Sequence, residues 1–429
     1  MTPASKEPMW TNLALLRLSA FGFGMIGFVL AMDIVILPLL VLGIAPEQLK
    51  NTYLAVLGFS GLVVGALVQP LVGGYSDRTR SRLGRRIPYM LWGCIFVCFG
   101  LVGIGFAPSY LALFGIWLFV QANFNIGNGP YQALIRDLVP ASRIGVASSM
   151  KVLCDASGAL VLVAVSSALI SREAGLGPVD WQWLTLGILA FVLVVATVIS
   201  SLTVLAMETA MAEGHGVAIA VQQPAPGLHP QLSRFVLSRL LIMTAITAFP
   251  TFGLFFLEDA VGLKNPAEAV GRMALVIGGA VAISIYPAGW LSDRIGRKPV
   301  VMAGALGAAV STIWLLWADD ATDVMVIASF LGASVGTFLS SNWALANQLG
   351  PTGREGLHMG IVNLATTGGA ALSRLMGPGI DLLNRISEGS GYSALLIACG
   401  LLFVVGALLL MPLREDARGT LSSYPRGMR

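Results

Sequence analysis

The sequence predicts an all-helical membrane protein with twelve transmembrane helices arranged as two pseudo-symmetric halves of six. Three features predict this fold class: the composition, the spacing of the apolar stretches and a basic motif that occurs twice. Of the 429 residues, 56% are hydrophobic and 11% are charged, whereas soluble domains have about 25% charged residues. The lipid bilayer is therefore the expected environment of most of the chain.

Twelve stretches approach the length of about 20 mostly apolar residues that a transmembrane helix needs. In the first half they are Leu18–Gly43, Tyr53–Tyr75, Ile87–Phe106, Tyr110–Val139, Ile144–Ile170 and Trp181–Met207. In the second half they are Phe235–Leu257, Ala267–Leu291, Pro299–Trp317, Val324–Leu349, Leu357–Ile380 and Tyr392–Met411. The halves are residues 1–207 and 234–413. The polar stretch 208–233 predicts a cytoplasmic linker, and the basic stretch 414–429 predicts a cytoplasmic tail.

A basic loop with the sequence GGYSDRTRSRLGRRIP lies between the second and third stretches, at Gly73–Pro88. It contains five arginines and one acid, Asp77. A shorter copy, GWLSDRIGRKP, occupies Gly289–Pro299, at the corresponding place in the second half. Because six spans return the chain to the side where it began, the two copies predict parallel repeats.

The Lys and Arg residues predict the orientation. Of the 26, 20 lie on the side that contains the Gly73–Pro88 loop, Arg239 near the start of span seven among them; five lie on the other side and Arg374 lies mid-span. Cytoplasmic loops carry such an excess. We therefore expect a multi-pass protein of the inner or plasma membrane with both termini in the cytoplasm. The net charge of +4 follows from these loops, so the sequence predicts the lipid bilayer, and not nucleic acid, as a partner.

The basic loop resembles the signature of the major facilitator superfamily, GxxSDRxxxxxGRR. The matching residues are Gly73, Asp77, Arg78, Gly84, Arg85 and Arg86, with Asp293, Arg294 and Arg297 in the shorter copy. The resemblance covers nearly the whole chain and implies the fold of that superfamily, with transport by alternating access.

The two motif copies would then belong to a gate. Contacts of Asp77 with backbone N–H groups or with an arginine would hold helix ends in one conformational state. The alternative is that the arginines only set the topology. That alternative accounts for their charge, but not for Asp77, the glycines or the second copy.

Other stretches are similar to the sucrose–proton symporters and the related glycoside–pentoside–hexuronide symporters. The loop continues as SDRTRSRLGRRIPY, and span four reads NxxxxPxxALxxDL from Asn125 to Leu138. The resemblance implies symport of a sugar or glycoside with a proton. Asp155 departs from it, because the sucrose group more often has a neutral amide there. A related branch of photosynthetic membrane proteins, linked to bacteriochlorophyll delivery and antenna assembly, shares a similar loop.

Charged groups inside an apolar span are costly unless they are paired or hydrated, so each is a functional candidate. Asp33 lies deep in the first span, where apolar surroundings favour the neutral carboxyl over the anion. Such a group suits a proton carrier, and the alternative is a structural ion pair with Arg374 or Lys151. Asp155, one turn beyond Lys151, is the second candidate for proton coupling, with an i, i+4 ion pair as its structural alternative.

Polar residues that share a helix face predict a substrate site. Amides suit sugar hydroxyls because each amide offers both donors and an acceptor. Span four has four amides at helical spacing, Gln121, Asn125, Asn128 and Gln132, which predict a cavity-lining face. The other candidates are Asn342 in span ten, Asn363, Thr367 and Arg374 in span eleven, and Asp259 at the end of span seven. Because Arg374 keeps its charge, it has to meet an acid, carbonyl oxygens or an anionic substrate.

No motif predicts an enzyme, and we expect no cofactor and no metal. The sequence has no P-loop, and its three histidines are scattered without the clustering that a metal or nucleophilic site needs. The expected protein is a monomeric secondary active transporter whose partners are a small-molecule substrate and a proton. Two alternatives stay open: efflux or uptake of another small metabolite or organic anion, and a pigment-handling or assembly factor on the same fold.

Overall fold

The computed structural model describes residues 10–140, 143–170, 180–213, 231–349 and 355–413. Nearly all of these residues are helical, and no strand occurs among them. The helices are α1 (Asn12–Ala31), α2 (Leu37–Ile44), α3 (Lys50–Arg78), α4 (Ile87–Gly105), α5 (Tyr110–Leu138), α6 (Ile144–Ile170), α7 (Trp181–Glu213), α8 (Leu232–Asp259), α9 (Pro266–Ile295), α10 (Arg297–Trp314), α11 (Ala321–Leu349), α12 (Glu355–Arg374), α13 (Gly377–Asn384) and α14 (Ser390–Leu410). A π-helical turn, Met32–Ile36, joins α1 to α2, and short 3-10 turns occupy Glu47–Leu49 and Leu315–Trp317.

Eleven helical stretches in the described ranges are long and apolar enough to cross a membrane. They correspond to all the predicted spans except the eleventh. That span is α12, which carries Asn363 and Thr367 and ends at Arg374; a turn then separates it from the short helix α13. The predicted count of twelve transmembrane helices therefore stays a prediction.

The bounds of the other helices follow the apolar stretches closely. Helix α6 has the predicted bounds, and α4 ends one residue before the predicted Phe106. Helix α7 continues to Glu213, beyond the residue 208 at which the linker was expected to begin. The rest of the predicted linker, 214–230, and the predicted tail, 414–429, lie outside the described residues.

The chain divides into two compact units. The first contains α1, α2, α3 from Leu57 onward, and α4 to α7; the second contains Pro46–Val56 and α8 to α14. In the first unit α1 packs mainly against α6 and α7, and α4 packs against α5. In the second unit α11 packs against α9 and α10, while α8 packs against α12 and α14.

The contact between α1 and α6 depends on small residues. A Cβ atom on Gly158 of α6 would lie 2.1 Å from the carbonyl oxygen of Phe23 in α1. A Cβ atom on Gly27 of α1 would lie 2.5 Å from the carbonyl oxygen of Gly158. Small residues let backbones approach in membrane proteins, and here they bring α1 close to the helix that carries Asp155.

Candidate functional site

The loop arginines of the first unit bind acids from two helices. Arg86 is 4% exposed, and its Nη2 lies 2.6 Å from Asp77 Oδ1 and 2.8 Å from Asp137 Oδ2. Its Nε also donates to Asp137 Oδ2, at 2.8 Å, and its Nη1 donates to Ser76 Oγ at 2.9 Å. Arg85 Nη2 binds the second oxygen of Asp137 at 2.9 Å. Asp77 was expected to bind either backbone N–H groups or an arginine, and the structure shows the arginine, Arg86. It also shows a second acid, Asp137 of α5, which joins that helix to the loop.

Gly84 gives this loop its conformation. Its φ is +85°, in the region that glycine adopts without steric cost. A Cβ atom at this position would lie 1.8 Å from Oε2 of Glu208 in α7. The glycine of the motif therefore allows both the turn and the close approach of the loop to α7.

The second motif copy makes contacts of a different kind. Gly296 again has a positive φ, +97°. Arg297 donates to the backbone carbonyl of Ala344 at 2.8 Å, and Lys298 donates to the carbonyls of Met411 and Leu413 at 2.6 and 2.9 Å. These carbonyls lie near or just past the C-terminal ends of α11 and α14, where cations are favourable.

Three further motif residues lie at the surface. Arg78 of the first copy is exposed, and so are Asp293 and Arg294 of the second. The Arg294 guanidinium lies 3.8 Å from the centre of the Trp290 ring. The two copies thus share a glycine with a positive φ, while Asp77 and Asp293 have different surroundings.

Asp33 lies on the π-helical turn Met32–Ile36. The N–H group of Leu37 bonds to the carbonyl of Met32, and Pro38 follows in the first turn of α2. Asp33 is half-buried, between a buried Met32 and a buried Val35. A π turn inside a helix frequently marks a functional site. The sequence did not predict it, although Pro38 is a signal, since proline cannot make the usual backbone bond one turn back.

Asp155 forms the ion pair that the structural alternative predicted. Lys151 Nζ lies 2.6 Å from Asp155 Oδ2, and the same Nζ lies 5.2 Å from the centre of the Tyr131 ring. Gly22 of α1 lies opposite, because a Cβ atom there would be 1.9 Å from Asp155 Oδ1. Lys151 therefore pairs with Asp155, in a packed region where α1, α5 and α6 meet.

The four amides of span four have two different environments. Gln121 and Asn125 are 8% and 6% exposed. They lie against glycines of α3, since Cβ atoms on Gly61 and Gly65 would each be 2.9 Å from the facing amide side chain. All four amides were expected to line a cavity. Gln121 and Asn125 instead fill the contact between α5 and α3.

The other two amides of that face form a pair. Gln132 Nε2 donates to Asn128 Oδ1 at 3.2 Å. Asn128 is 7% exposed, while Gln132 is exposed. This end of the face keeps polar groups available to a ligand.

An arginine of the second unit that was counted with the cytoplasmic cations is buried inside the protein. Arg239 of α8 is 1% exposed. Its Nε donates to Thr366 Oγ1 at 3.1 Å, its Nη1 donates to Asn342 Oδ1, and its guanidinium lies 4.4 Å from the centre of the Trp343 ring. The predicted substrate residue Asn342 is thus fully buried, as a partner of this arginine. The signal in the sequence was an arginine already inside the apolar stretch of span seven.

The three candidates of span eleven do not share one environment. Arg374 is half-buried and donates to Thr251 Oγ1 of α8. Asn363 and Thr367 are exposed. These two offer polar groups to a ligand, while Arg374 joins α12 to α8.

Asp259 belongs to a polar cluster around the start of α3. Its Oδ1 lies 2.7 Å from Lys50 Nζ, and its Oδ2 accepts a hydrogen bond of 2.5 Å from the Tyr392 hydroxyl. The Tyr392 hydroxyl also accepts a hydrogen bond of 3.2 Å from Asn51 Nδ2. Asp259 is therefore a paired, half-buried carboxylate of the second unit.

Asp381, a residue that sequence reasoning missed, completes this cluster. It is 3% exposed. Its Oδ2 accepts bonds from the backbone N–H and hydroxyl of Thr52 at 2.7 and 2.6 Å. Its Oδ1 accepts bonds from the backbone N–H and side-chain amide of Asn51 at 3.3 and 2.9 Å. A carboxylate is favourable at a helix N-terminus, so Asp381 acts as the cap of α3.

The sequence of the chain matches one family of known proteins over most of its length. The family of MFS/sugar transport proteins matches residues 18–380. The chain belongs to this family. With its long apolar helices, it is a multi-pass membrane protein of this family.

Curated relatives of this MFS/sugar transport protein include sucrose transport proteins. The chain is 34% identical over 123 residues to sucrose transport protein SUT3 of Oryza sativa subsp. indica, which covers 23% of the chain and 24% of that protein. It is 34% identical over 113 residues to SUT1 of Oryza sativa subsp. japonica, covering 21% of each. The match thus spans a quarter or less of the length of these relatives.

Solved structures share the fold across almost the whole chain. A bacterial homologue of the human lysosomal transporter Spinster has a TM-score of 0.68 at 14% identity, covering 95% of this chain and 97% of that one. A bacterial homologue of the iron transporter ferroportin has a TM-score of 0.67 at 16% identity, covering 95% and 98%. The predicted fold class, an all-helical membrane protein of the major facilitator type, is confirmed.

Proposed function

We propose that this MFS/sugar transport protein moves a sugar or glycoside across the membrane together with a proton, by alternating access. The observation that carries the proposal is the family match over residues 18–380. The sucrose transport proteins among its relatives support a sugar as the substrate. The membrane would be the inner or plasma membrane, with both termini in the cytoplasm.

Asp33 is the proton carrier in this proposal. It stands on a π-helical turn in the first span and is half-buried. An ionisable group inside a membrane span is a functional candidate, and a carboxyl can take up and release a proton. Asp155 is the weaker candidate, because it already forms an ion pair with Lys151 at 2.6 Å.

The substrate contacts come from exposed polar groups. In the first unit these are the Asn128–Gln132 pair, and in the second unit Asn363 and Thr367. Amides and hydroxyls suit a sugar because they can both donate to and accept from its hydroxyls. Gln121, Asn125 and Asn342 act indirectly, since each is buried in a helix contact or bound to an arginine.

The contacts of Arg86 with Asp77 and Asp137 form the gate of the first unit in this proposal. They join the end of α3, the start of α4 and the end of α5. A change of state that separates these helix ends would have to break two ion pairs of a buried guanidinium. The second motif copy binds backbone carbonyls and no acid, so its contacts would break more easily.

Proteoliposomes with an imposed inward proton gradient test the proposal. We expect radiolabelled sucrose or a glucoside to accumulate with the wild type and with Asp319→Asn, a control at an exposed aspartate. With Asp33→Asn we expect exchange of labelled for unlabelled sugar to persist while gradient-driven accumulation is lost. Equal accumulation by Asp33→Asn would overturn the proton role, and no accumulation of any mono- or disaccharide by the wild type would overturn the sugar substrate.

A further inference from the structure

A groove lies between α1 and α7 on the surface of the first unit. Its volume is about 620 Å³, within the range of about 300–1,000 Å³ that is typical of small-molecule sites. Of its described lining residues one is charged, Arg17, and one is a hydroxyl residue, Thr203; the others are apolar. Three of these are alanines, Ala14, Ala206 and Ala210, whose small side chains leave the space open. Both helices are long and apolar enough to cross a membrane, so an exposed groove between them faces the bilayer.

Two contacts behind the groove hold α1 and α7 together. Ser200 Oγ donates to the carbonyl oxygen of Leu18 at 2.7 Å, and both residues are buried. Farther along α1, a Cβ atom on Gly24 would lie 2.9 Å from the Cβ atom of Ala196. The two contacts show that the helices run antiparallel, with the start of α1 beside the last turns of α7. The groove is therefore a formed feature of the folded unit.

Arg17 gives this groove a positive charge. Its side chain is exposed, and within the described ranges it forms no ion pair. Glu208, an acid of α7, lies instead against the loop at Gly84, where a Cβ atom would be 1.8 Å from its carboxylate. Because a guanidinium keeps its charge, the groove offers a cation that an anionic partner can neutralise.

Exposed apolar side chains surround this arginine. Leu13 and Leu16 of α1 are 55% and 42% exposed, and Leu202 of α7 is 62% exposed. Arg17 is near the start of α1, which begins at Asn12, so at a rise of about 1.5 Å per residue it lies within about 10 Å of the helix end. A long cationic side chain in such a place keeps its stem on apolar surface and its head at the polar boundary. The combination suits a partner that is anionic at one end and apolar along its length.

We propose that this groove binds an anionic phospholipid of the surrounding bilayer, with the phosphate on Arg17 and an acyl chain along Leu202 and Ile199 of α7. A guanidinium forms charge-assisted and often bidentate hydrogen bonds with a phosphate. The Thr203 hydroxyl already donates to the carbonyl of Ile199 at 2.8 Å, and its oxygen can still accept a hydrogen bond from a hydroxyl of the headgroup. The proposal goes beyond the proposed function, because it concerns a lipid partner and requires neither the sugar nor the proton.

The loop at Gly84 indicates the leaflet. It approaches Glu208 near the end of α7, so the Gly73–Pro88 loop and the groove share one end of the first unit. In the proposed orientation this end is cytoplasmic, and the cytoplasmic leaflet carries the negative surface potential of anionic lipids. The charge of Arg17 is thus complementary to the leaflet that contains it.

A second surface groove provides a comparison without a charge. It lies between α10 and α14 in the second unit, has a volume of about 440 Å³, and its described lining residues are all apolar, Val310 and Trp314 among them. Such a groove accommodates an acyl chain of any lipid and has no group that selects a headgroup. Selectivity for an anionic lipid in the α1–α7 groove therefore depends on its arginine.

Two substitutions test the site, each with a matched control. Arg17→Gln removes the charge, and Arg234→Gln does the same at an exposed arginine of α8 outside the groove. Ala206→Trp fills the α1–α7 groove at an exposed residue, and Val310→Trp fills the uncharged groove at a residue that is 68% exposed. Size-exclusion chromatography and thermal unfolding verify that the variants fold.

The measurement is native mass spectrometry of the full-length protein in detergent, titrated with phosphatidylglycerol or with phosphatidylcholine. We expect the wild type and both controls to bind the first phosphatidylglycerol more tightly than the first phosphatidylcholine. Arg17→Gln should weaken the binding of phosphatidylglycerol by about fivefold, the effect of one basic residue at an anionic membrane surface, and should leave phosphatidylcholine unchanged. Ala206→Trp should also weaken the binding of phosphatidylglycerol.

Three results would overturn the proposal. The first is equal affinity of the wild type for the two lipids. The second is an affinity for phosphatidylglycerol that either Arg17→Gln or Ala206→Trp leaves unchanged. The third is an equal loss in Arg234→Gln, since the binding would then depend on overall charge and not on the groove. None of these results involves a sugar, so the proposed transport function is tested separately.

Discussion

The carboxylate of Asp381 accepts a hydrogen bond of 2.7 Å from the backbone N–H group of Thr52, a residue 329 positions away in the sequence. Helix α3 is therefore capped by a side chain from α13 and not by a residue of its own N-terminal turn. Together with Lys50 and Asp259, this cap ties the first turn of α3 to three helices of the second unit: α8, α13 and α14.

Asp381→Asn is expected to destabilise the protein. The substitution preserves the shape but replaces one acceptor oxygen with an NH₂ group, so one donor of Asn51 or Thr52 loses its partner in a buried site. An unsatisfied buried donor costs about 1–3 kcal/mol. Thermal unfolding in detergent measures the effect, and Glu388→Gln at an exposed residue nearby is the control. Equal midpoints for the two variants would refute the capping role.

The Arg86–Asp137 contact is expected to show a large coupling energy. Removing one partner of a buried ion pair costs about 3–5 kcal/mol when the other charge is left alone, and less here because Asp77 also binds Arg86. A double-mutant cycle with Arg86→Gln and Asp137→Asn should give a coupling of about 0.5–3 kcal/mol. Arg78→Lys, at an exposed arginine of the same loop, should have no measurable effect. Additive effects of the two substitutions would contradict the ion pair.

Two glycine-to-alanine substitutions are expected to have opposite signs. At Gly158 a Cβ atom would lie 2.1 Å from the backbone oxygen of Phe23, whereas at Gly187 it would have no atom of another described helix within 4 Å. Gly158→Ala should therefore force α1 and α6 apart, at a cost of about 1–3 kcal/mol. Gly187→Ala should stabilise α7 by about 0.5–1 kcal/mol, because alanine loses less backbone entropy on folding. Thermal midpoints of both variants against the wild type check the prediction, and a loss of stability at Gly187 would contradict it.

Arg239→Lys is expected to destabilise the second unit despite keeping the positive charge. Lysine cannot reproduce the planar group that bonds to Thr366 and Asn342 while it stacks on Trp343. The loss of one hydrogen bond to a charged group alone is worth about 1.5–3 kcal/mol. Arg234→Lys, at an exposed arginine earlier in α8, provides the comparison, and similar unfolding curves for the two variants would rule out the buried contact.

The positions of the helices were predictable because bilayer thickness limits the length of an apolar span. Helix α6 has the predicted bounds, and α5 ends one residue before the predicted Val139. The eleventh span stays a prediction, since the polar residues of α12 and its end at Arg374 weaken the apolar pattern. For the candidate site, the sequence indicated Asp33, Asp155 and the amides as unusual residues inside spans, because a polar group in an apolar stretch is visible without a structure.

The partners of those residues were not predictable. Asp155 pairs with a lysine one turn away, which the i, i+4 spacing already indicated. Gln121 instead packs against Gly61, and Arg239 donates a hydrogen bond to Thr366. These partners are far apart in the sequence, so helical spacing does not predict them. The π turn at Asp33 likewise depends on how the backbone accommodates Pro38.

By itself, the sequence of this protein determined its membrane environment, its duplicated motif and the family it resembles, because composition, repetition and short motifs are properties of the chain alone. The tertiary structure decided which polar residues are available to a ligand and which are bound to one another. Burial and hydrogen-bond pairing depend on helices far apart in sequence, as with Asp381 and Thr52. The Gly73–Pro88 loop illustrates both contributions. The sequence shows its arginines as charges, and the tertiary structure shows that one of them, Arg86, pairs with Asp137.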